Sequence, residues 1–421
     1  AGDAGTRAGD AGTRAGDAGT RAGDALSPRG RARPLRLDAD FVVDASGAGG
    51  FLAHHLPIPA GWLPVPLCTE LIYSHFQGVA PFEEVAAAAG AHLPPGPYPD
   101  ERAAVHHLLE EGWMYVLRFD HGVVSAGLVL EGGADPDGGG AGEAAPTTER
   151  SPCRGAGGRE LPPAEAWETI VSRYPTLHDQ FRGARPLRPI RRVPRLQRRL
   201  AHAAGDGWAL LPHAFCFVSP MFSTGLAWSV LAVERLALLL EPGGGGVAGG
   251  AATGGRATSS AADVAGLERY GRLLETEADH LARLLWGAYR LRREFDRFVE
   301  YSFLYFAAAS FAEASQRLVD RDPHEWAWDG FLGATDPVLR SAVDLVPSFA
   351  ASAAGPPVEA LRAAVAARDL AGLTDPARNR LYPADVEPLI AGARLLGLTP
   401  EQARGRVHRL RGYGDAAGVG R

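Results

Sequence analysis

The sequence predicts an α/β (α+β) protein, in which a strand-turn-helix half with an antiparallel sheet precedes a mostly α-helical C-terminal region. Three observations carry this prediction. Apolar and polar residues alternate along Leu67 to Val79 and along Trp113 to Leu130, the signature of strands with one face buried. An apolar run, Ala214 to Val218, leads through the turn Ser219-Pro220-Met221-Phe222-Ser223-Thr224-Gly225 into a helix-like run, Leu226 to Leu240. From Asp263 onward the apolar spacing is helical over most of the chain.

With 421 residues, 46% of them hydrophobic, the chain is long enough for two domains and a substantial core. Its formal charge of -6 supplies no broad positive field, so neither nucleic acid nor anionic lipid is favoured as a partner. The sequence contains no Lys, and all 43 basic residues counted as Lys or Arg are Arg, which removes lysine-based mechanisms. Cys68, Cys153 and Cys216 lack the paired spacing of a metal site or disulfide framework and read as reduced thiols of a cytoplasmic protein. No secretory signal is evident, and the most apolar helix is interrupted by Glu234 and Arg235, so no membrane span is expected.

Residues 1–33 are a low-complexity segment built on Ala-Gly-Asp-Ala-Gly-Thr-Arg repeats, with nothing larger than Ala to pack, and disorder is expected there. Residues 34–242 are expected to hold the sheet and the turn motifs, with a flexible insertion at 132–158. Residues 243–262 form a Gly-rich linker, and 263–421 a helical domain. Leu35 to Val43 reads as a strand ending in Asp44-Ala45-Ser46-Gly47. Pro94 to Pro99 reads as a rigid loop, and Asp120-His121-Gly122 as the turn of a hairpin. Helices are expected at Pro163 to Tyr174, Asp263 to Tyr289, Arg290 to Asp320, Val358 to Ala367 and Asp385 to Leu396, with a loop at Asp322 to Trp328.

The turn before Leu226 is the strongest chemical signal. A strand followed by small residues and a helix start presents backbone N–H groups to an electron-rich ligand, although the same residues also serve as an ordinary helix cap. The small residues of Asp44-Ala45-Ser46-Gly47 permit close approach of a cofactor, or simply a tight strand-to-helix turn. Gly112-Trp113-Met114-Tyr115-Val116-Leu117-Arg118 reads from its chemistry as a core strand anchored by Trp113. His213, in Leu211-Pro212-His213-Ala214, has a ring able to donate a hydrogen bond to phosphate. The eight arginines from Arg182 to Arg199 read as a solvated face or as contacts to an acidic group. The pairs His54-His55 and His106-His107 diverge on any regular element and are not expected to bind metal.

In this order, over Asp38 to Leu240, these segments resemble the FAD-dependent halogenases and related flavoprotein monooxygenases. Ser219 to Gly225 resembles the family's flavin-proximal D-P-x-x-S-x-G, and Asp44-Ala-Ser-Gly followed by Phe51 resembles a segment passing near the dinucleotide. Gly112 to Arg118 resembles G-W-x-W-x-I-P, with Tyr115 in place of the second Trp, Leu117 for Ile and Arg118 for Pro. A Gly-Asp pair that the family carries near Pro212-His213 is absent. Tyr301-Ser-Phe-Leu-Tyr-Phe and Phe331 extend the resemblance into the C-terminal helices.

The resemblance implies an FAD/NAD(P)-binding-like fold with an antiparallel substrate-domain sheet, FAD as cofactor, and a small organic, possibly aromatic, substrate. It also implies a flavin reductase as a partner. It assigns Asp44, Ser46, Gly47, His213, Pro220, Ser223, Thr224 and Gly225 to the cofactor, and Trp113 and Tyr115 to the substrate; no catalytic residue is assigned. The family's first strand and G-x-G-x-x-G have no counterpart before Asp38, so an N-terminally truncated flavoprotein is expected. The halogenases also use a lysine to direct hypohalous acid, and with no Lys present halogenation by this chain alone is not expected. A non-catalytic module lacking its own nucleotide-binding half is the alternative. A plain interaction protein built on the C-terminal helices is a third reading.

Overall fold

The computed structural model describes residues 36–93, 98–132, 160–241, 261–346, 358–375 and 386–416. The repeat at 1–33 and Cys153 lie outside these residues, as do nearly all of the 132–158 insertion, of the 243–262 linker and of the Pro94 to Pro99 loop. The chain divides into two units, 1–40 and 41–421, of which the second carries every element named below.

The first elements are β1 (Val42–Asp44) and α1 (Phe51–His55), joined by a short 3-10 turn. β2 (Thr69–Gln77), α2 (Phe82–Ala88), β3 (Val105–Leu108), β4 (Gly112–Arg118) and β5 (Val124–Glu131) follow. The β4–β5 hairpin turns where expected, with Gly122 at φ +80, a left-handed conformation that glycine adopts without steric cost. The helix expected at Pro163 to Tyr174 is α3 (Pro163–Val171), which ends three residues early because Pro175 disfavours helical backbone at Tyr174 and starts a separate helix, α4 (Pro175–Phe181). β6 (Arg185–Pro186) and β7 (Arg191–Val193) both pair with β2, completing an antiparallel sheet of order β3-β4-β5-β2-β6.

Period-two alternation gives this sheet two apolar faces. Met114, Val116, Leu128 and Leu130 pack with Ile72 and Phe76 under Trp167, Ile170 and Phe181 of α3 and α4. Trp113 and Val129, one residue out of phase, face the helical core.

β8 (Arg198–Arg199), β9 (Ala204–Gly205) and β10 (Trp208–Leu210) lead back to β1. β10 runs parallel to β1, pairing Val42 with Trp208 and Asp44 with Leu210. Only Cys216–Phe217, as β11, is a strand within the run Ala214 to Val218, and it pairs with β8. Pro212 explains the difference: its fixed φ suits the first helical position, and Pro212–Phe215 forms α5.

The long helices are α6 (Thr224–Leu240), α7 (Ala261–Leu291) and α8 (Phe295–Leu318). α9 (Pro323–Trp326) lies within the expected loop, and α10 (Pro337–Asp344), Val358–Val365, Glu387–Gly392 and Pro400–Ala416 complete the helical part. One core joins both halves, containing Trp113, Leu210 and Phe215 together with Trp228, Leu274, Leu285 and Tyr301. Tyr270 of α7 donates to the Leu210 carbonyl at 2.9 Å, fastening β10 to the helices.

One described helix, Met221–Leu240, is long and apolar enough by composition to cross a membrane. Its inner face carries Arg235, which is fully buried. The guanidinium grips both carboxylate oxygens of Glu277, at 2.9 and 2.7 Å, and donates to the carbonyls of Ala327 and Asp329. Glu277 also accepts from the indole of Trp228 and the amide of Phe331, so the ion pair ties α6 and α7 to the loop before Phe331.

Candidate functional site

Three of the sequence motifs meet around α5, which packs against the turn Gly47–Gly49 on one side and against α6 on the other. The first turn is held by Asp44, buried at the end of β1. Its two carboxylate oxygens accept the N–H groups of Ser46 and Leu52, each at 2.7 Å, while the Ser46 hydroxyl accepts from Phe51 at 2.8 Å. Burial acts to raise the Asp44 pKa, but the hydrogen bonds from Ser46 and Leu52 outweigh it and lower the value. Asp44 and Ser46 therefore shape the turn with groups already engaged. Gly47, at φ +60, has open space where a side chain would stand.

The second motif brings His213 onto α5. Its ring lies against Gly225, where an added Cβ would come within 2.2 Å of Nε2. Burial, reinforced by the charge of Arg198, lowers the His213 pKa, so the ring is neutral near pH 7. The Arg198 guanidinium also donates to the His213 carbonyl.

The third motif is the turn into α6. Phe222 and Ser223 both adopt left-handed backbone, at φ 61 and φ 54, a conformation that side-chain-bearing residues rarely hold and that a well-packed surrounding must enforce. The Phe222 ring supplies that packing, stacking on Tyr305 at 4.4 Å and meeting Phe306 at 5.7 Å. No side chain caps α6, so its first N–H groups point beyond the helix without intrahelical acceptors. Thr224 is 3% exposed, and its hydroxyl is buried without a hydrogen-bond partner among the described residues. Pro220 is half-buried at the start of the turn, and Ser223 is exposed.

Trp113 and Tyr115 take different places. Trp113 is buried, and its indole N–H donates to the Tyr289 hydroxyl at 2.8 Å; that hydroxyl shares a hydrogen bond with Ser219 at 2.9 Å. Trp113 thus supports the α6 turn from behind. Tyr115 lies across Gly127 on the sheet, and burial pushes its hydroxyl pKa up to about 12. Gln197 braces the same region, donating to Thr69 Oγ1 and the Val218 carbonyl. His106 and His107 do diverge, with ring contacts to Trp113 and Phe82 respectively.

A cavity of about 430 Å³ opens beside the turn, between α6 and α8. Phe222, Thr224, Glu234, Tyr305, Phe306 and Phe331 are among its walls. In the sequence, Tyr305, Phe306 and Phe331 extend the family resemblance without a site role, and their apolar pattern is shared with any core. Glu234 read as an interruption of an apolar helix and gave no signal of a site.

No family model matches the chain. The tetracycline 7-halogenase of Kitasatospora aureofaciens is 29% identical over 199 residues, which span 47% of this chain and 33% of that protein. The monodechloroaminopyrrolnitrin halogenase PrnC of Pseudomonas fluorescens is 26% identical over 211 residues, 49% of this chain and again 33% of the relative. The matched part therefore spans about a third of either curated relative. Among solved structures, a variant of the halogenase PltM in complex with FAD superposes with a TM-score of 0.64 at 18% identity, covering 83% of this chain and 68% of that one. PltM in complex with phloroglucinol and FAD gives 0.62, with 81% and 66% covered. Over about half its length this chain is similar in sequence to two halogenases, and its fold is similar to that of the FAD-binding halogenase PltM.

Proposed function

We propose that the chain is an FAD-dependent oxidoreductase of the halogenase and monooxygenase type, with the ring end of the flavin at the N-terminus of α6 and a small aromatic substrate in the neighbouring cavity. The observation that carries this reading is the meeting of three motifs around α5 beside an uncapped helix start, with the buried Thr224 hydroxyl left without a partner among the described residues. Uncapped N–H groups and a helix dipole suit the electron-rich pyrimidine edge of a flavin. At Gly225 the place of a side chain is taken by the His213 ring, which sets that ring beside the helix start.

Bound flavin would supply the redox chemistry. The chain's own part is to bind and orient: Ser223, Thr224 and Gly225 hold the ring edge, Pro220 fixes the turn, and Asp44 with Ser46 keeps Gly47 open toward the cofactor. The neutral His213 ring has one N–H to donate. The aromatic walls of the cavity exclude water from the reacting face. A flavin reductase as electron source and a cytoplasmic setting belong to the same reading.

A second reading is favoured by one observation. β1 is the edge of its sheet among the described residues, and Val42 and Val43 are 38% and 42% exposed. Such an edge accepts a further strand, so a separate nucleotide-binding unit would complete the flavin site of what is otherwise a substrate module. Mixing the protein with FAD separates the two: a perturbed flavin absorption spectrum and a raised Tm support the first, whereas perturbation only after a dinucleotide-binding module is added supports the second.

A further inference from the structure

We infer that the cavity between α6 and α8 selects an elongated aromatic amine, with the ring at its Thr224 end and the ammonium group on Glu234. The inference rests on the reading above only in naming the Thr224 end as the reactive one. Two buried polar atoms line this cavity without a partner among the described residues: the Thr224 hydroxyl and Glu234 Oε2. The other oxygen of Glu234 accepts from Arg317 at 3.3 Å, and Arg317 turns its Nε to Glu313 at 3.2 Å. This end of the cavity therefore holds two carboxylates against one guanidinium. A buried acceptor with an uncompensated negative charge beside it calls for a cationic N–H donor.

Length sets the shape of the ligand. Thr224 and Glu234 stand ten residues apart on one helix, about 15 Å at the α-helical rise. A single ring fits among Phe222, Tyr305 and Phe306 but does not reach Glu234, so a linker must bridge the two ends. The walls between are apolar, with Ala227, Val230 and Leu231 from α6, which suits a hydrocarbon linker.

The test uses a para-alkylphenol with a primary amine at the end of a six-carbon chain, and its methyl-terminated counterpart, titrated calorimetrically into the full chain at pH 7. The amine is expected to bind about ten-fold or more tightly than the methyl compound. Glu234→Gln keeps the side-chain shape and leaves Arg317 its Glu313 partner. It is expected to reduce the preference to about two-fold or less with an unchanged melting temperature. Equal affinity for the two compounds in the wild type, or a preference that survives Glu234→Gln, overturns the inference. FAD titrated into the same preparation reports separately on the flavin reading, since the amine preference requires no flavin.

Discussion

Trp113 donates its indole N–H to the Tyr289 hydroxyl at 2.8 Å, and that hydroxyl passes the contact on to Ser219. This buried chain joins the antiparallel sheet, α7 and the turn before α6. Burial raises the Tyr289 pKa to about 12, so the hydroxyl stays neutral across the physiological range.

Tyr289→Phe removes the middle of this chain, strands the Trp113 N–H in the core and leaves the Ser219 oxygen only the Met221 N–H. A loss of about 1–3 kcal/mol is expected, the usual cost of a buried unpaired polar group. Urea denaturation of Tyr289→Phe, Ser219→Ala and the double variant measures it; a strong shortfall from additivity marks the shared bond.

Gly225→Ala places a methyl group against the His213 ring. Overpacking of this kind costs about 1–3 kcal/mol. A companion substitution, His213→Ala, removes the atoms that clash, so the double variant is expected to regain most of the lost stability. Thermal melts of the three variants decide this, and failure of the rescue would mean that the contact is not the source of strain.

Arg235→Met leaves Glu277 buried with its charge uncompensated, while Arg235→Met combined with Glu277→Leu removes both charges. The single change is expected to destabilise by about 3–5 kcal/mol and the double change by much less. Denaturant midpoints of the two proteins provide the comparison.

The pH dependence of stability follows from His106, His107 and His280, whose pKa values burial lowers to about 4. Each stays neutral in the fold while the unfolded chain takes up a proton near pH 6.5. Stability is therefore full above that pH and falls from about pH 6.5 to about pH 4, by up to about 1.4 kcal/mol per pH unit for each ring. Below about pH 4 these rings contribute no further slope. A stability series from pH 8 to pH 4 that stayed flat would contradict the assignment.

Much of the fold was legible in the sequence because period-two alternation directly encodes the two faces of β4 and β5. The turn before α6 was legible as a turn because an apolar run gives way there to small residues and then to a helical run, a pattern that an ordinary helix cap shares. Two things were not. Pro212 converted part of an apparent strand into α5, and that helix is what brings the Asp44 and Ser219 motifs together. Trp113 carried a family-like pattern, yet its side chain is spent on Tyr289, 176 residues away. The cavity itself depends on Phe222 being held at positive φ against Tyr305, a tertiary constraint with no local signal.

The central claim is that the N-terminus of α6 receives a flavin, and FAD fluorescence tests it most directly when titrated with the wild type and with Ser223→Asp, a change at the exposed N-cap of that helix. The account predicts saturable quenching by the wild type, and none by the variant, whose carboxylate would occupy the N–H groups that the ring edge needs. Equal quenching by both proteins would contradict it.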